Sequence, residues 1–199
     1  MAKLNKMAGV DEVGRGCLAG PVFAAAVILK NNINKKDIKD SKKISFKKRI
    51  LLSRYIKKNS IYAVGIASVS EINKINILNA SLLSMRRALT KLSIKPTEAY
   101  IDGLFAPKDL KIKYKTFIKG DEKINSIAAA SIIAKVSRDL FMIKLAKKYP
   151  EYYWHKNFGY GTTEHLNGLK KYGVTEHHRK KFKPIHNILS HKTRETQQD

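Results

Sequence analysis

Two short apolar runs in this chain end in acid. Met7-Ala8-Gly9-Val10 leads into Asp11-Glu12, and Ala99-Tyr100-Ile101 leads into Asp102-Gly103. A short continuous apolar run is what a strand buried on both faces looks like. Carboxylates where such a strand leaves the sheet are costly unless something pairs with them. In open α/β sheets, ligands collect beyond the carboxyl ends of neighbouring strands. If these two strands are adjacent and parallel, Asp11, Glu12 and Asp102 converge at one sheet edge. Such a cluster of oxygen ligands calls for a hard cation, Mg²⁺ or Mn²⁺. Adjacent strand residues point to opposite faces, so Asp11 and Glu12 share a site only if the chain bends there. Val13-Gly14-Arg15-Gly16 supplies the bend, because glycine tolerates positive φ and close backbone approach. Exposed N–H groups in such a loop suit a phosphate or a sugar hydroxyl. Taken alone, the same Gly-x-Gly reads as an ordinary turn with a solvated Arg15.

The acids need a sheet to hold them. Residues 7–10 read as the first strand, Val22–Leu29 as the second and Ile61–Val69 as the third. Glu98–Asp102 and Lys113–Ile118 read as the fourth and fifth. A helix is predicted over Ser45–Lys58. A second runs from Ser70, an N-cap type, to about Leu92, with Ile75, Leu78, Leu82, Met85, Leu89 and Leu92 in one core stripe. A third, Ile124–Leu145, holds the small-apolar segment Ile127–Ala134 and reads as deeply buried. Strands one to three can form an antiparallel meander, and strand four returns through a crossover helix to lie parallel to strand one. The expected fold class is therefore α/β, a mixed five-stranded sheet flanked by helices, with a small helical C-terminal segment. Residues 1–150 form the core and 151–199 the C-terminal segment, frayed from about Ser190.

Other polar residues have two readings each. Asp121, after Lys119-Gly120, is either a helix N-cap or a further metal ligand at the same sheet edge. Ser137-Arg138-Asp139 reads as an exposed turn, with Asp139 in a salt bridge. Glu71, Glu98 and Glu122 read as surface acids. Lys135 and Arg138 could reach phosphates from the far end of the third helix. Beyond Pro150, Tyr152–Gly161 mixes aromatics, glycine and base, and aromatics can stack on bases or sugars while cations hold phosphates. Trp154 reads as a small satellite core. Tyr160, between two glycines, reads as functional. Thr162 or Thr163 can cap a helix that stops near Gly173. His177-His178 opens a basic run and lacks companion ligands for a metal.

The 199 residues include 40 Lys plus Arg against 16 Asp plus Glu, a formal net charge of +24. That excess favours a polyanionic partner, nucleic acid before an anionic membrane surface. Hydrophobic residues at 43% can build a core and argue against global disorder. Cys17 is the single cysteine, which excludes an internal disulfide or a Cys-type zinc site and fits a reducing compartment. No signal peptide or bilayer-length apolar run is present, so the expectation is a cytoplasmic protein that acts as a monomer away from membranes. A non-catalytic RNA- or DNA-binding protein fits the charge equally well, but it gives no reason for acids at two strand ends. A nuclease acting on DNA alone is the other alternative.

In combination the motifs are more specific. Gly9-Val10-Asp11-Glu12-Val13-Gly14-Arg15-Gly16, Asp40-Ser41-Lys42, Ile101-Asp102-Gly103, Lys119-Gly120-Asp121, Ala129–Val136 and Gly159-Tyr160-Gly161-Thr162 together resemble the bacterial ribonuclease HII family, of the ribonuclease H-like fold, from Ala8 to about Asn187. The resemblance implies that Asp11, Glu12, Asp102 and Asp121 are the metal-binding carboxylates, for two Mn²⁺ or Mg²⁺ ions. It implies that Gly14, Arg15 and Gly16 sit on a ribonucleotide and read its 2′-hydroxyl, with Tyr160 against the sugar. Lys42, Ser131 and Lys135 are the further substrate-binding residues it suggests. The implied substrates are RNA–DNA hybrids and duplex DNA containing a ribonucleotide, cut on its 5′ side. Cys17 stands where this family often has proline, a harmless departure. The related ribonuclease HIII group usually carries Gly-Lys-Gly in this loop and an extra N-terminal domain, so Gly14-Arg15-Gly16 favours HII.

Overall fold

Val22–Leu29 is apolar at every position, as a strand covered on both faces requires. In the computed structural model, which describes residues 6–30, 33, 38 and 44–195, this strand lies inside the sheet. It is β2, and it pairs antiparallel with β1 (Met7–Val13) and with β3 (Ser60–Ala67). The return strand β4 (Glu98–Asp102) lies parallel to β1, and β5 (Lys113–Phe117) lies parallel to β4. The sheet order is β3-β2-β1-β4-β5, the expected meander plus crossover. The β5 edge is exposed and carries Lys113 and Lys115, the type of residue that blunts an open edge.

The helices are α1 (Phe46–Lys58), α2 (Val69–Thr90), the single turn α3 (Gly120–Lys123) and α4 (Asn125–Ala146). Short α5 (Trp154–Asn157), α6 (Thr163–Tyr172) and α7 (Lys183–Glu195) follow. Successive residues of β2 serve opposite layers. Ala24, Ala26 and Ile28 pack with Met85, Ala88 and Leu89 of α2. Ala25 and Val27 pack with Ala128, Ala129, Ile132 and Ile133 of α4 and with Ile56 of α1. Small residues let α4 come close: a Cβ on Gly9 would lie 2.1 Å from the Ser126 carbonyl carbon.

Three local expectations change. The N-cap of α2 is Ser68 rather than Ser70, because β3 ends at Ala67 and Glu71 completes a reciprocal capping box with Ser68. Glu71 is thus no idle surface acid; it also takes two guanidinium bonds from Arg87, at 2.6 and 2.9 Å. The apolar stripe of α2 is broken at Asn76, which has φ 67°, and the Asn76 side chain accepts the Asn79 amide at 3.1 Å to restart the helix. Asparagine tolerates this conformation because its short side chain bonds locally.

The C-terminal segment builds on the main body. Trp154 is fully buried and stacks on Tyr152 at 5.0 Å. Both pack with Met142 and Leu145 of α4 and with Leu18 and Ala19. Trp154 is therefore the core residue expected of it. No helix among the described residues is long and apolar enough to cross a membrane.

Candidate active site

The last parallel rung, Val10 against Ile101, puts Asp11 and Asp102 one residue further on, where the pairing of the two strands ends. The chain does not bend at Asp11 and Glu12 themselves. β1 runs on to Val13, with Asp11, Glu12 and Val13 opposite Ala25, Ala24 and Phe23 of β2. The chain turns only at Gly14, with φ 97°. The first strand therefore outlasts the apolar run, because pairing to β2 continues where pairing to β4 has ended.

Asp11 is buried and accepts the Glu12 amide at 2.7 Å; the Ser131 hydroxyl donates to it as well. Burial first, then the charge of Glu12 and to a lesser degree that of Asp102, pushes the Asp11 carboxyl well above the usual range. Burial also raises Glu12, against the pull of Arg15, whose Nη1 lies 3.3 Å from Oε1. The charge of Asp102 thus reaches both Asp11 and Glu12. Asp102 Oδ1 accepts the Gly120 amide at 2.6 Å, which ties the start of α3 to the end of β4. Asp121 follows in the first turn of α3. It is not the cap: that position belongs to Lys119, in the left-handed region and without a side-chain cap bond. The geometry removes the capping reading and leaves Asp121 at the sheet edge that holds Asp102.

Behind the acids lies the glycine turn. Gly14 is buried while Arg15 and Gly16 are exposed. A Cβ on Gly14 would meet Arg138 Nε at 2.2 Å. Tyr160 is 41% exposed, and its ring passes 3.8 Å from where a Gly16 Cβ would stand. Its hydroxyl bonds Cys17, which is itself buried. Lys135 Nζ pairs with Asp139 at 2.9 Å and lies 4.9 Å over the Phe158 ring. Asp40, Ser41 and Lys42 lie outside the described residues.

Two expectations fail here. Ser137-Arg138-Asp139 is not an exposed turn but the interior of α4, with Arg138 and Asp139 both buried. The salt bridge foreseen for Asp139 exists, with Lys135. Arg138 reaches no phosphate; it donates to the carbonyls of Pro21, Phe158 and Ala19 at 2.8–3.1 Å. Arg179, His165 and His178, none of them expected in the core, are all fully buried. His178 and Arg179 sit in a basic run that reads as solvated, and only the adjacent Tyr152–Tyr160 aromatics hinted at a core able to enclose them.

The histidines form one chain of hydrogen bonds. Thr175 faces His178 Nδ1 through both its amide, at 3.0 Å, and its hydroxyl, at 2.9 Å. His178 Nε2 lies 3.0 Å from His165 Nε2, which also accepts Trp154 Nε1–H at 3.1 Å. His165 Nδ1 then meets the Tyr160 carbonyl at 2.8 Å. With neutral rings, Nδ1–H on His165 and Nε2–H on His178, the lone pair of His165 Nε2 is shared by Trp154 Nε1–H and His178 Nε2–H, and that of His178 Nδ1 faces both Thr175 groups. The backbone of Tyr160 is held from below by this relay.

The sequence model of the ribonuclease HII family matches residues 8–185. The chain belongs to the ribonuclease HII family. It is 59% identical over 183 residues to the ribonuclease HII of Pelagibacter ubique, covering 92% of this chain and 98% of that one. It is 47% identical over 184 residues to that of Neisseria meningitidis serogroup B, covering 92% and 95%. Among solved structures, the ribonuclease H2 of Pyrococcus horikoshii superposes with a TM-score of 0.78 at 27% identity, covering 93% of this chain and 97% of that one. The Mn²⁺ complex of Bst-RNase HIII superposes at 0.76 with 20% identity, covering 96% and 72%, and shows the shared fold. Ribonuclease HII membership makes the chain a ribonuclease H, a metal-dependent nuclease, on an α/β fold with a mixed five-stranded sheet.

Proposed function

We propose that this chain hydrolyses the RNA strand of RNA–DNA hybrids and cuts on the 5′ side of ribonucleotides embedded in duplex DNA, leaving 3′-hydroxyl and 5′-phosphate ends. One observation carries the reading. Buried Asp11, whose carboxyl feels the charges of Glu12 and Asp102, stands with them where the parallel pairing of β1 and β4 ends, beside the exposed Arg15-Gly16 turn and a half-exposed Tyr160.

The donor set fits hard divalent cations. Its atoms are carboxylate oxygens. Among the described residues no cationic side chain forms an ion pair with Asp11 or Asp102, so burial and repulsion leave a charge deficit that a cation would fill. As they stand, no three Asp, Glu, His or Cys side chains among the described residues form a ready group for an ion. Glu12 is turned to Arg15 and Asp102 to the Gly120 amide. Asp11, Glu12, Asp102 and Asp121 would hold two Mg²⁺ or Mn²⁺ ions with substrate bound. Bound divalent cations supply activation of the attacking water and neutralisation of the leaving oxygen. The protein residues orient: Ser131 and the Glu12 amide fix Asp11, and Gly120 fixes Asp102. Gly14–Gly16 and Tyr160 receive the ribose, and Arg15 and Lys135 are cations within reach of the phosphates around it. Telling RNA from DNA rests on the 2′-hydroxyl.

End-labelled duplex DNA with one ribonucleotide, and a matched all-DNA duplex, test this in Mg²⁺, in Mn²⁺ and in chelator. The expected result is a metal-dependent cut immediately 5′ of the ribonucleotide and none in the control. Asp102→Asn should abolish the cut and retain binding. Equal cutting of both duplexes would remove the sugar reading. Full activity of Asp102→Asn would remove the site assignment.

A further inference from the structure

We infer that Arg179, a buried side chain remote in sequence from the acids, is a positioning residue that sets ribonucleotide specificity by fixing two peptide planes of the 14–16 turn. The inference rests on the reading that this turn receives the ribonucleotide.

Arg179 Nη2 donates to the Gly14 carbonyl at 2.6 Å and Nη1 to the Arg15 carbonyl at 2.8 Å. Its Nε donates to the Gly20 carbonyl at 3.0 Å. One planar fork therefore takes consecutive carbonyls of the turn, and the guanidinium plane fixes their relative direction. The described chain contains no cis peptide bond. In a trans peptide the carbonyl and the following N–H point opposite ways. Drawing the carbonyls of Gly14 and Arg15 inward to Arg179 thus turns the N–H groups of Arg15 and Gly16 outward. They emerge where residues 15 and 16 are exposed, under the edge of the Tyr160 ring. Two convergent N–H donors beside an aromatic ring suit a hydroxyl oxygen that accepts hydrogen bonds. A ribose offers that oxygen and a deoxyribose does not.

The surroundings are arranged for this task. Among the described residues no carboxylate forms an ion pair with Arg179 or Arg138. Both guanidinium groups are satisfied by carbonyls of residues 14–21 and 158. Removing a buried charge from water is expensive, and here main-chain carbonyls compensate it, joined for Arg179 by the face of the Phe182 ring at 5.1 Å. Arg138 lies against Gly14 and closes off the inward side, so the turn cannot relax toward the core.

The test compares affinities for the single-ribonucleotide duplex and the all-DNA duplex in chelator, where nothing is cut. Arg179→Lys keeps the charge and loses the fork. Its preference for the ribonucleotide duplex should fall at least tenfold, with all-DNA affinity within twofold of wild type. A residue that only supports the fold would leave that ratio unchanged. Gly16→Ala, whose methyl would meet only the Tyr160 ring, at an ordinary contact distance of 3.8 Å, crowds the reading surface directly and should also lose the preference. If Gly16→Ala loses the preference and Arg179→Lys keeps it, the turn reads the sugar and the role of Arg179 is overturned. If wild type shows no preference at all, the turn reading falls and the inference falls with it. Amide exchange in wild type decides the matter even if Arg179→Lys does not fold. The amides of residues 15 and 16 should exchange freely in the unliganded protein and become protected by the ribonucleotide duplex only. Protection in the unliganded protein would overturn the inference.

Discussion

Acidification should unlock the Tyr160 loop through His178. Burial, then the charges of His165 and His177, holds this ring down to about 3, against about 6.5 in an unfolded chain. The sign follows from linkage. Below about pH 6.5 the unfolded chain takes up a proton that the native state refuses, so stability falls as pH drops from 6.5 toward 3. Between about pH 7.5 and about pH 5 this single ring withdraws about 2 kcal/mol. For a domain of this size each kcal/mol moves the melting midpoint by about 2–4 °C, so the midpoint should fall by about 4–8 °C. His165 is displaced downward too, by burial, and adds to the fall. The perturbation is His178→Gln, whose amide can still donate toward His165 and accept from Thr175 but does not titrate. Melting curves of wild type and variant at the two pH values give the result. The variant should lose most of the His178 part of the pH dependence. An equal fall in both proteins would refute the neutral-relay reasoning, and so would a wild-type midpoint that does not move.

Gly14→Ala puts a methyl 2.2 Å from Arg138 Nε at a φ of 97°. It should cost about 1–3 kcal/mol and at least tenfold in cleavage rate, measured by thermal melting and by the single-ribonucleotide assay. Ser68→Ala removes the hydroxyl half of the α2 capping box. It should cost about 1 kcal/mol without changing the cleavage site; a neutral melt would show that Glu71 and Arg87 hold the helix start unaided. Affinity for the all-DNA duplex should fall linearly in log–log plots against salt, as expected where Lys and Arg neutralise phosphates. A flat plot would deny the +24 charge its proposed role.

The sheet and the acid edge were legible in the sequence because both rest on local patterns. Continuous apolar runs mark buried strands, and Asp11, Glu12 and Asp102 end two of them. Register was less legible. Strand β1 continues past its apolar run because β2 still offers it partners as far as Phe23, a fact of the neighbour and not of the strand. Asn76 was hidden within an apolar stripe whose spacing survives the break. Arg138 and Arg179 were the hardest to see. A buried arginine is written in sequence like an exposed one, and what encloses these two is a set of main-chain carbonyls, which no side-chain pattern records. The family motifs supplied Asp121, whose place in the first turn of α3 also fits an ordinary helix start.

The bonds from Arg179 to Gly14 and Arg15 span 165 and 164 residues. The loop proposed to face the nucleic acid is thus fastened by a residue made long after the loop itself. Domains take shape during synthesis from the N-terminal side, so the sheet and its acids can assemble on the ribosome well before this clasp exists. A nascent or truncated chain that stops short of Arg179 carries the carboxylates but leaves the 14–16 peptides unheld. On the proposed reading, selectivity for the sugar would be acquired only after the carboxylate edge has formed, and would be lost in any chain cut before Arg179.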